Sequence, residues 1–145
     1  RAKEIKKTMS ENHADVKGKN SHTFGRSPTF YRYKYKDILM KSSWEVIYAI
    51  YLDENNIKWK YEERYFNLGN CTYTPDFFVY DENNNLKEIV ELKGYENSSF
   101  TLKFNLYKQM FENEFNITKV LRANDLEDIL KNKSYIRKIV KKYKI

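Results

Sequence analysis

Two β-patterned runs joined by a cluster of turn-forming residues constrain the fold of this chain more than any other feature. The runs extend from Tyr73 to Tyr80 and from Leu86 to Gly94, and residues 81–85 between them read Asp-Glu-Asn-Asn-Asn. Asp and Asn favour tight turns because their side chains hydrogen-bond to the nearby backbone and tolerate left-handed conformations. The sequence therefore predicts an antiparallel hairpin.

The register of this hairpin decides which side chains face each other. If Asp81 pairs with Leu86, counting back along both strands places Asp76 opposite Glu91, with Lys93 beside them on the same face. A slip of two residues on one strand keeps these side chains on that face, because the side-chain period of a strand is two. The other face is apolar and is predicted to pack on the core; it carries Phe77, Val79, Val90 and Leu92.

Two carboxylates that face each other in a sheet repel, so the hairpin predicts a compensating cation. Mg²⁺ prefers oxygen ligands and is commonly held by one or two carboxylates together with a substrate phosphate. Asp76 and Glu91 are therefore the predicted ligands of Mg²⁺, for which Mn²⁺ is expected to substitute, and Lys93 is predicted to lie near an attacking water. The competing interpretation is an ordinary surface hairpin whose charges are solvated.

The strings Thr74-Pro75-Asp76 and Val90-Glu91-Leu92-Lys93, on consecutive predicted strands, resemble the PD-(D/E)XK nuclease superfamily. The resemblance implies metal-dependent hydrolysis of phosphodiester bonds, with Asp76 and Glu91 on the metal and Lys93 activating or stabilising the nucleophile. The backbone carbonyl of Leu92 completes the metal shell in this interpretation.

A further acidic candidate is Glu45, because Ser42-Ser43-Trp44-Glu45 resembles the helix through which many superfamily members supply another carboxylate. The resemblance makes Glu45 a metal ligand and a catalytic residue. The alternative is a structural role, because Ser42 and Glu45 also have the spacing of a capping box.

The predicted order of elements is a helix from Trp44 to Asn55, three antiparallel strands from Ile57 to Gly94, a helix from Ser98 to Asn113 and a strand from Ile117 to Leu121. This order matches a restriction-endonuclease-like core. The expected fold is α/β: a mixed central sheet with an antiparallel three-stranded meander, flanked by helices, plus an extended N-terminal DNA-binding segment.

The N-terminal part of the chain contains no run from which a core could be built. Its strings Lys3 to Glu11, Gly18-Lys19-Asn20 and Phe24-Gly25 resemble the nuclease-associated modular DNA-binding motif found beside the catalytic domains of homing endonucleases. The resemblance implies a DNA-binding segment over residues 1–28 and a nuclease domain over residues 29–145. A flexible, solvated tail is the alternative.

The charge of the chain is consistent with double-stranded DNA as its partner, since the formal net charge is +7 and the pI is near 9.3. Tyr31, Tyr33 and Tyr35 alternate with basic residues, which predicts a strand with an aromatic face that packs on the core or stacks on bases. The predicted DNA-binding residues are Lys6, Lys7, Lys17, Lys19, Asn20, Arg26, Arg32, Lys34, Lys36 and Lys103. For Lys103, the competing interpretation is an ordinary lysine whose side chain is solvated.

Other features narrow the class of protein. The single cysteine, Cys71, excludes a disulfide framework and fits a reducing, cytoplasmic compartment. No apolar stretch is long enough to span a bilayer, so no membrane partner is expected, and no small-molecule cofactor is indicated. The frequent Lys, Asn, Ile and Tyr are typical of an AT-rich gene, as in a phage of a bacterial host. A monomer, a homodimer or a higher oligomer all remain open.

A site-specific homing endonuclease is the function that these features favour. Two alternatives stay open. A structure-specific or repair nuclease, such as a junction resolvase or a very-short-patch-like enzyme, would use the same residues. A non-catalytic DNA-binding module would bind DNA equally well with or without metal.

Overall fold

The computed structural model describes residues 31–94, 98–129, 138 and 140–145, and the elements below are numbered within these ranges. The predicted N-terminal segment, and with it the domain boundary at residue 29, lies outside them. The strands are β1 (Tyr33–Tyr35), β2 (Ile38–Met40), β3 (Lys58–Tyr61), β4 (Phe66–Asn67), β5 (Thr72–Tyr73), β6 (Phe77–Tyr80), β7 (Leu86–Leu92) and β8 (Thr118–Leu121). The helices are α1 (Ser43–Glu54), α2 (Ser98–Met110), α3 (Glu112–Asn116) and α4 (Ala123–Ile129).

A mixed sheet with the strand order β3-β6-β7-β8 forms the centre of the fold. The first three strands are antiparallel neighbours, and β8 pairs with β7 in parallel. A parallel pair needs a crossover connection, and α2 and α3 lie in the chain between β7 and β8. The predicted α/β class, with a mixed sheet, an antiparallel three-stranded part and flanking helices, is confirmed.

The hairpin of β6 and β7 has the predicted register at the end where the motif residues lie. Phe77 pairs with Val90, and the same count sets Asp76, just before β6, against Glu91. At the turn end the prediction was wrong, because a bulge between Val79 and Tyr80 shifts the register there. Asp81 belongs to the turn, where its Oδ1 accepts the amides of Asn83 and Asn85 at 2.9 Å each.

Both faces of the central sheet are buried, whereas the sequence predicted that only the apolar face would pack on the core. On one side, Phe77, Val79, Val90 and Leu92 pack with the buried residues of α1, as predicted. On the other side, Phe78 and Ile89 pack beneath α2. Helices on both faces exclude water from each, so the motif carboxylates lie at the end of a covered face and not on an open one.

Helix α1 begins and ends where its sequence predicts. Glu45 Oε1 accepts the Ser42 amide at 3.0 Å in the capping box. At the other end Asn56 takes a positive φ of 57°, which asparagine tolerates better than most residues. The spacing of Trp44, Ile47, Tyr48, Tyr51 and Leu52 predicts one buried stripe, but of these only Tyr48 and Leu52 are fully buried. The other buried residues of α1 are Glu45, Val46, Ala49 and Ile50.

Two other predicted elements differ from the structure. Lys36 is not part of a strand: Lys36 and Asp37 have φ values of 51° and 66° and form the turn between β1 and β2. The helix predicted from Ser98 to Asn113 ends at Met110, and the short helix α3 follows Phe111. In the part of the chain that the structure describes, no helix is both long and apolar enough to cross a membrane.

Candidate functional site

The predicted site residues meet where the hairpin of β6 and β7 approaches the start of α1. Asp76 lies just before β6, is only 1% exposed, and accepts the amide of Leu92 from β7 through Oδ2 at 2.8 Å. A Cβ on Gly94 would lie 3.3 Å from the ring of Trp44, so the chain after β7 passes closely against the first turn of α1. Through these contacts the Asp76 carboxylate lies near the first turn of α1.

Glu45 serves the helix cap and the carboxylate cluster with different oxygens. Its Oε1 accepts three hydrogen bonds, from the amides of Lys41 and Ser42 and from the hydroxyl of Tyr61, at 2.8, 3.0 and 3.0 Å. Its Oε2 lies 3.6 Å from Lys41 Nζ. The two interpretations of Glu45 are therefore compatible: the carboxylate caps α1 and also faces the site.

Lys41, which sequence reasoning did not identify, lies at the centre of the carboxylates. Its Nζ is 3.2 Å from Asp76 Oδ1 and 3.2 Å from Glu62 Oε2, in addition to its contact with Glu45. The Lys41 side chain is 30% exposed, whereas those of its three partners are almost completely buried. One ammonium group thus joins carboxylates from the helix, from the segment after β3 and from the segment before β6.

Glu62 is the second site residue that sequence reasoning missed. It is 3% exposed, and its amide donates to the carbonyl of Asp76 at 2.8 Å, which places it next to the motif aspartate. Its Oε1 accepts the hydroxyl of Tyr31 at 3.1 Å. Glu62 also has a positive φ of 46°, an uncommon conformation for a residue with a Cβ.

Glu91 is buried on β7, and its Oε1 accepts the hydroxyl of Tyr73 at 2.8 Å. Burial and the charge of Asp76 raise the pKa of Glu91 well above its usual value, although Tyr73, Lys41 and Lys93 act in the opposite direction. The effect of the Asp76 charge on Glu91 agrees with the predicted placement of the two carboxylates as neighbours.

The other charges of the cluster also shift the pKa values of their neighbours. Burial and the charge of Asp76 raise the pKa of Glu45 to about 8, against the lowering effect of Lys41 and Tyr61. For Lys41, burial disfavours the charged form, but the charges of Asp76, Glu45 and Glu62 outweigh this effect and raise its pKa. Lys41 is therefore a firmly charged ammonium among carboxylates that are costly to ionise together.

A cleft of about 300 Å³ opens beside the cluster. Lys93 lies at this cleft, with Nζ 4.3 Å from the centre of the Phe100 ring, and Lys103 of α2 lines the same cleft. The structure thus brings Lys103 to the site. The residues that line the cleft are Lys41, Glu62, Thr72, Tyr73, Thr74, Glu91, Lys93, Ser99, Phe100 and Lys103.

The donor set fits a hard divalent cation in its chemistry, because the buried charged groups around Lys41 are all carboxylates: Glu45, Glu62, Asp76 and Glu91. Over the described ranges, no three His, Cys, Asp or Glu side chains already converge with metal-ligand geometry. The Lys41 ammonium lies among these oxygens instead. Leu92 contributes its amide to Asp76, and its carbonyl as a metal ligand stays a prediction.

Other predicted DNA-binding residues lie apart from the cleft. The Lys36 ammonium pairs with Asp53 at 2.9 Å, and Asp53 is about 12 Å farther along α1 than Glu45. Arg32 and Lys34 are exposed on and beside β1, while Tyr31 and Tyr35 are buried, which confirms the core-packing interpretation of those tyrosines. The predicted residues Lys6, Lys7, Lys17, Lys19, Asn20 and Arg26 lie outside the described residues.

Lys41 and Glu62 were missed because nothing local distinguishes them. Lys41 lies in an ordinary Met-Lys-Ser-Ser string, 35 residues before Asp76. Glu62 reads as one more polar position in the alternation of β3. The pairing of β3 with β6 could have indicated Glu62. It places the end of β3, which Glu62 follows, against the start of β6, which Asp76 precedes.

Comparison of the chain with protein-family models, with curated proteins and with solved structures gave no match.

Proposed function

We propose that this protein is a metal-dependent DNA endonuclease with a restriction-endonuclease-like core, and that it acts as a site-specific homing endonuclease. The observation that carries the proposal is the meeting of Asp76 and Glu91, the two motif carboxylates, at one end of β6 and β7 beside a cleft lined by Lys93 and Lys103. Glu91 is buried and its pKa is raised, and perturbed pKa values cluster at functional sites.

Each site residue has a role that follows from its surroundings. Asp76 and Glu91 would hold Mg²⁺ or Mn²⁺, with Oε2 of Glu45 facing the same cluster. The bound cation would polarise the phosphoryl oxygen and lower the pKa of a water molecule. Lys93, whose Nζ lies 4.3 Å from the centre of the Phe100 ring and whose charge acts on the pKa of Glu91, would orient that water. The ammonium of Lys103 faces the same cleft and would contact a backbone phosphate.

The cleft has a lining that suits a substrate containing phosphate. Its volume of about 300 Å³ is at the lower end of the range for small-molecule sites. Its lining combines lysines with hydroxyl groups of Thr72, Thr74 and Ser99, which are donors that suit a phosphodiester. A cleft of this kind offers groups that position a phosphate and does not offer the largely apolar enclosure typical of a cofactor site.

One observation favours a second candidate, a DNA-binding module without catalysis. Lys41 already pairs with three of the carboxylates, as a structural ion-pair network would require. Such a module would bind DNA with equal affinity in Mg²⁺ and in EDTA. The endonuclease would instead lose its cleavage activity in EDTA.

The experiment that tests the proposal is incubation of the full chain with supercoiled plasmid, genomic DNA, a four-way junction and a mismatched duplex, with Mg²⁺ or with EDTA. We expect Mg²⁺-dependent cutting of long DNA into discrete fragments. Cutting limited to the junction or the mismatch would replace the homing assignment with a structure-specific nuclease. DNA binding without cutting in Mg²⁺ or Mn²⁺ would contradict the catalytic proposal.

A basic surface adjoins the C-terminal residues and supports DNA as the partner. The Lys34 amide donates to the carbonyl of Tyr143 at 2.8 Å, and the Ile145 amide donates to the carbonyl of Arg32 at 2.9 Å. These bonds attach the C-terminal residues to β1. The basic edge is formed by the exposed side chains of Arg32, Lys34, Lys141, Lys142 and Lys144.

We predict that replacing Arg32 and Lys34 together with alanine weakens DNA binding and makes it less dependent on salt. If each side chain neutralises one phosphate, the slope of log affinity against log salt concentration should become shallower by about 2. Fluorescence anisotropy from low to moderate salt measures this slope. The matched control is Lys58→Ala with Lys87→Ala, which removes two exposed lysines near the hairpin turn. An equal loss in both double variants would contradict a role for the basic edge.

A further inference from the structure

Lys41 lies between the cleft and the carboxylates that it contacts. Lys41 and Glu62 line the cleft, but Asp76 and Glu45 do not, and Asp76 is 1% exposed. The Lys41 Nζ is 3.2 Å from Asp76 Oδ1, while Oδ2 of the same carboxylate accepts the Leu92 amide. The oxygen of Asp76 that faces away from β7 is therefore covered by an ammonium group.

From this placement we infer that Lys41 is a resident counter-ion that a divalent cation must displace from Asp76 before the site can act. The inference rests on the proposed function, and it assigns Lys41 a positioning role. In the metal-free protein the Lys41 ammonium holds the buried carboxylates together. In the metal-bound protein the cation takes its position at Asp76, and Lys41 turns toward the cleft that its side chain already lines.

Charge and exposure support this exchange. The cluster contains the four buried carboxylates of Glu45, Glu62, Asp76 and Glu91. A divalent cation in place of the Lys41 ammonium would bring two positive charges to these carboxylates instead of one. The Lys41 side chain is 30% exposed, lines the cleft and has a flexible four-carbon stem, so it can turn from the cluster toward the cleft.

Exchange of the Lys41 ammonium for a metal cation at Asp76 predicts that the charge at position 41 affects the metal affinity. If Lys41 and the cation compete for Asp76, part of the free energy of metal binding is spent on displacing the ammonium, and the measured metal affinity is lower than the affinity of the open site. Removal of the charge at position 41 should therefore tighten metal binding while it weakens the metal-free fold. A purely structural lysine would lower stability without any gain in metal affinity.

The test is calorimetric titration of Mn²⁺ into wild type and Lys41→Met, with melting temperatures measured in EDTA and in Mn²⁺. We expect Lys41→Met to bind Mn²⁺ about tenfold more tightly, a change within the usual range of coupling between sites. We also expect it to melt at a lower temperature than wild type in EDTA and to recover in Mn²⁺. Lys41→Arg keeps the positive charge and should bind Mn²⁺ as wild type does.

The matched control is Lys119→Met, because Lys119 also lies 3.2 Å from a glutamate, Glu88, but on another part of the sheet. Lys119→Met should bind Mn²⁺ with the affinity of wild type, and Mn²⁺ should change its melting temperature by the same amount as in wild type. If wild type binds Mn²⁺ and Lys41→Met binds it equally or more weakly, the inference is overturned and the proposed function stands. If neither protein binds Mn²⁺, both are overturned.

A second measurement on the wild type covers the case in which Lys41→Met does not fold. The side-chain NH₃⁺ resonance of Lys41 should shift in a saturable way as Mg²⁺ is added, because its carboxylate partners change. A resonance that stays unchanged at high Mg²⁺ concentration would overturn the displacement.

Discussion

Replacement of Asp76 with asparagine is expected to lower the rate of Mg²⁺-dependent DNA cleavage by about a thousandfold or more. The bound metal supplies several kcal/mol of transition-state stabilisation, and each 1.4 kcal/mol is a factor of ten in rate. Asparagine keeps an oxygen that can accept the Leu92 amide, now bound at 2.8 Å, but it removes the negative charge that the cation requires. The measurement is the single-turnover rate on plasmid DNA at saturating protein.

The same variant should keep its fold, which separates a catalytic role from a structural one. The charge of Asp76 raises the pKa of both Glu45 and Glu91, so its removal relieves repulsion in the metal-free protein. Because the substitution also removes the 3.2 Å ion pair with Lys41, the two effects oppose each other, and we expect Asp76→Asn to stay folded in EDTA with a melting temperature close to that of wild type, although it is inactive. The matched control is Glu88→Gln on β7, a carboxylate paired with Lys119 outside the site, which should cut DNA normally. Equal activity of the two variants would contradict the assignment of Asp76.

The stability of the metal-free protein is expected to fall as the pH rises from about 5 to about 8. The folded protein raises the pKa of Glu45 from its usual value of 4.5 to about 8, and that of Glu91 moves in the same direction. Between these pH values the folded state binds more protons than the unfolded state, so raising the pH favours unfolding. Each such group contributes at most about 1.4 kcal/mol per pH unit, which gives a total loss of a few kcal/mol.

Urea unfolding in EDTA at pH 5 and pH 8 measures this loss as a shift of the transition midpoint. Glu45→Gln should show a smaller shift, and it should retain the helix cap because glutamine also serves at this capping-box position. Glu88→Gln should keep the full shift. Other groups act outside this pH range: the lowered pKa of Asp53 has its effect below about pH 4, and the raised pKa of Lys41 has its effect above pH 10. Equal or greater stability at pH 8 would contradict the shifted pKa values.

Much of the fold could be predicted from the sequence, because it depends on interactions between residues that are close together in the chain. The capping residues of α1, the turn formers at 81–85 and the alternation of β6 and β7 each act over a few residues. The register at Asp76 and Glu91 followed from the same alternation. The bulge beside Tyr80 did not, because it lies at the last residue pair before the turn, where no further residues of the strands follow to reveal a change in the alternation.

The parts of the site that escaped prediction depend on contacts between distant segments. Lys41 meets Asp76 and Glu62 only after α1 has packed on the sheet and β3 has paired with β6. Neither the neighbours of Lys41 in the sequence nor its spacing distinguishes it from other lysines. The burial of both sheet faces was missed for a related reason. Phe78 and Ile89 are covered by α2, which lies later in the chain and leaves no mark on the hairpin sequence.

The proposed function and the role of Lys41 both require that a divalent cation binds at Asp76 and Glu91 in place of the Lys41 ammonium. Crystals grown or soaked in Mn²⁺ and measured near the manganese absorption edge would locate the ion from its anomalous scattering. We expect one strong peak in contact with the carboxylate oxygens of Asp76 and Glu91, with Lys41 Nζ moved from its position 3.2 Å from Asp76. No peak at these carboxylates, with Lys41 still bound to Asp76 at a saturating Mn²⁺ concentration, would contradict the account.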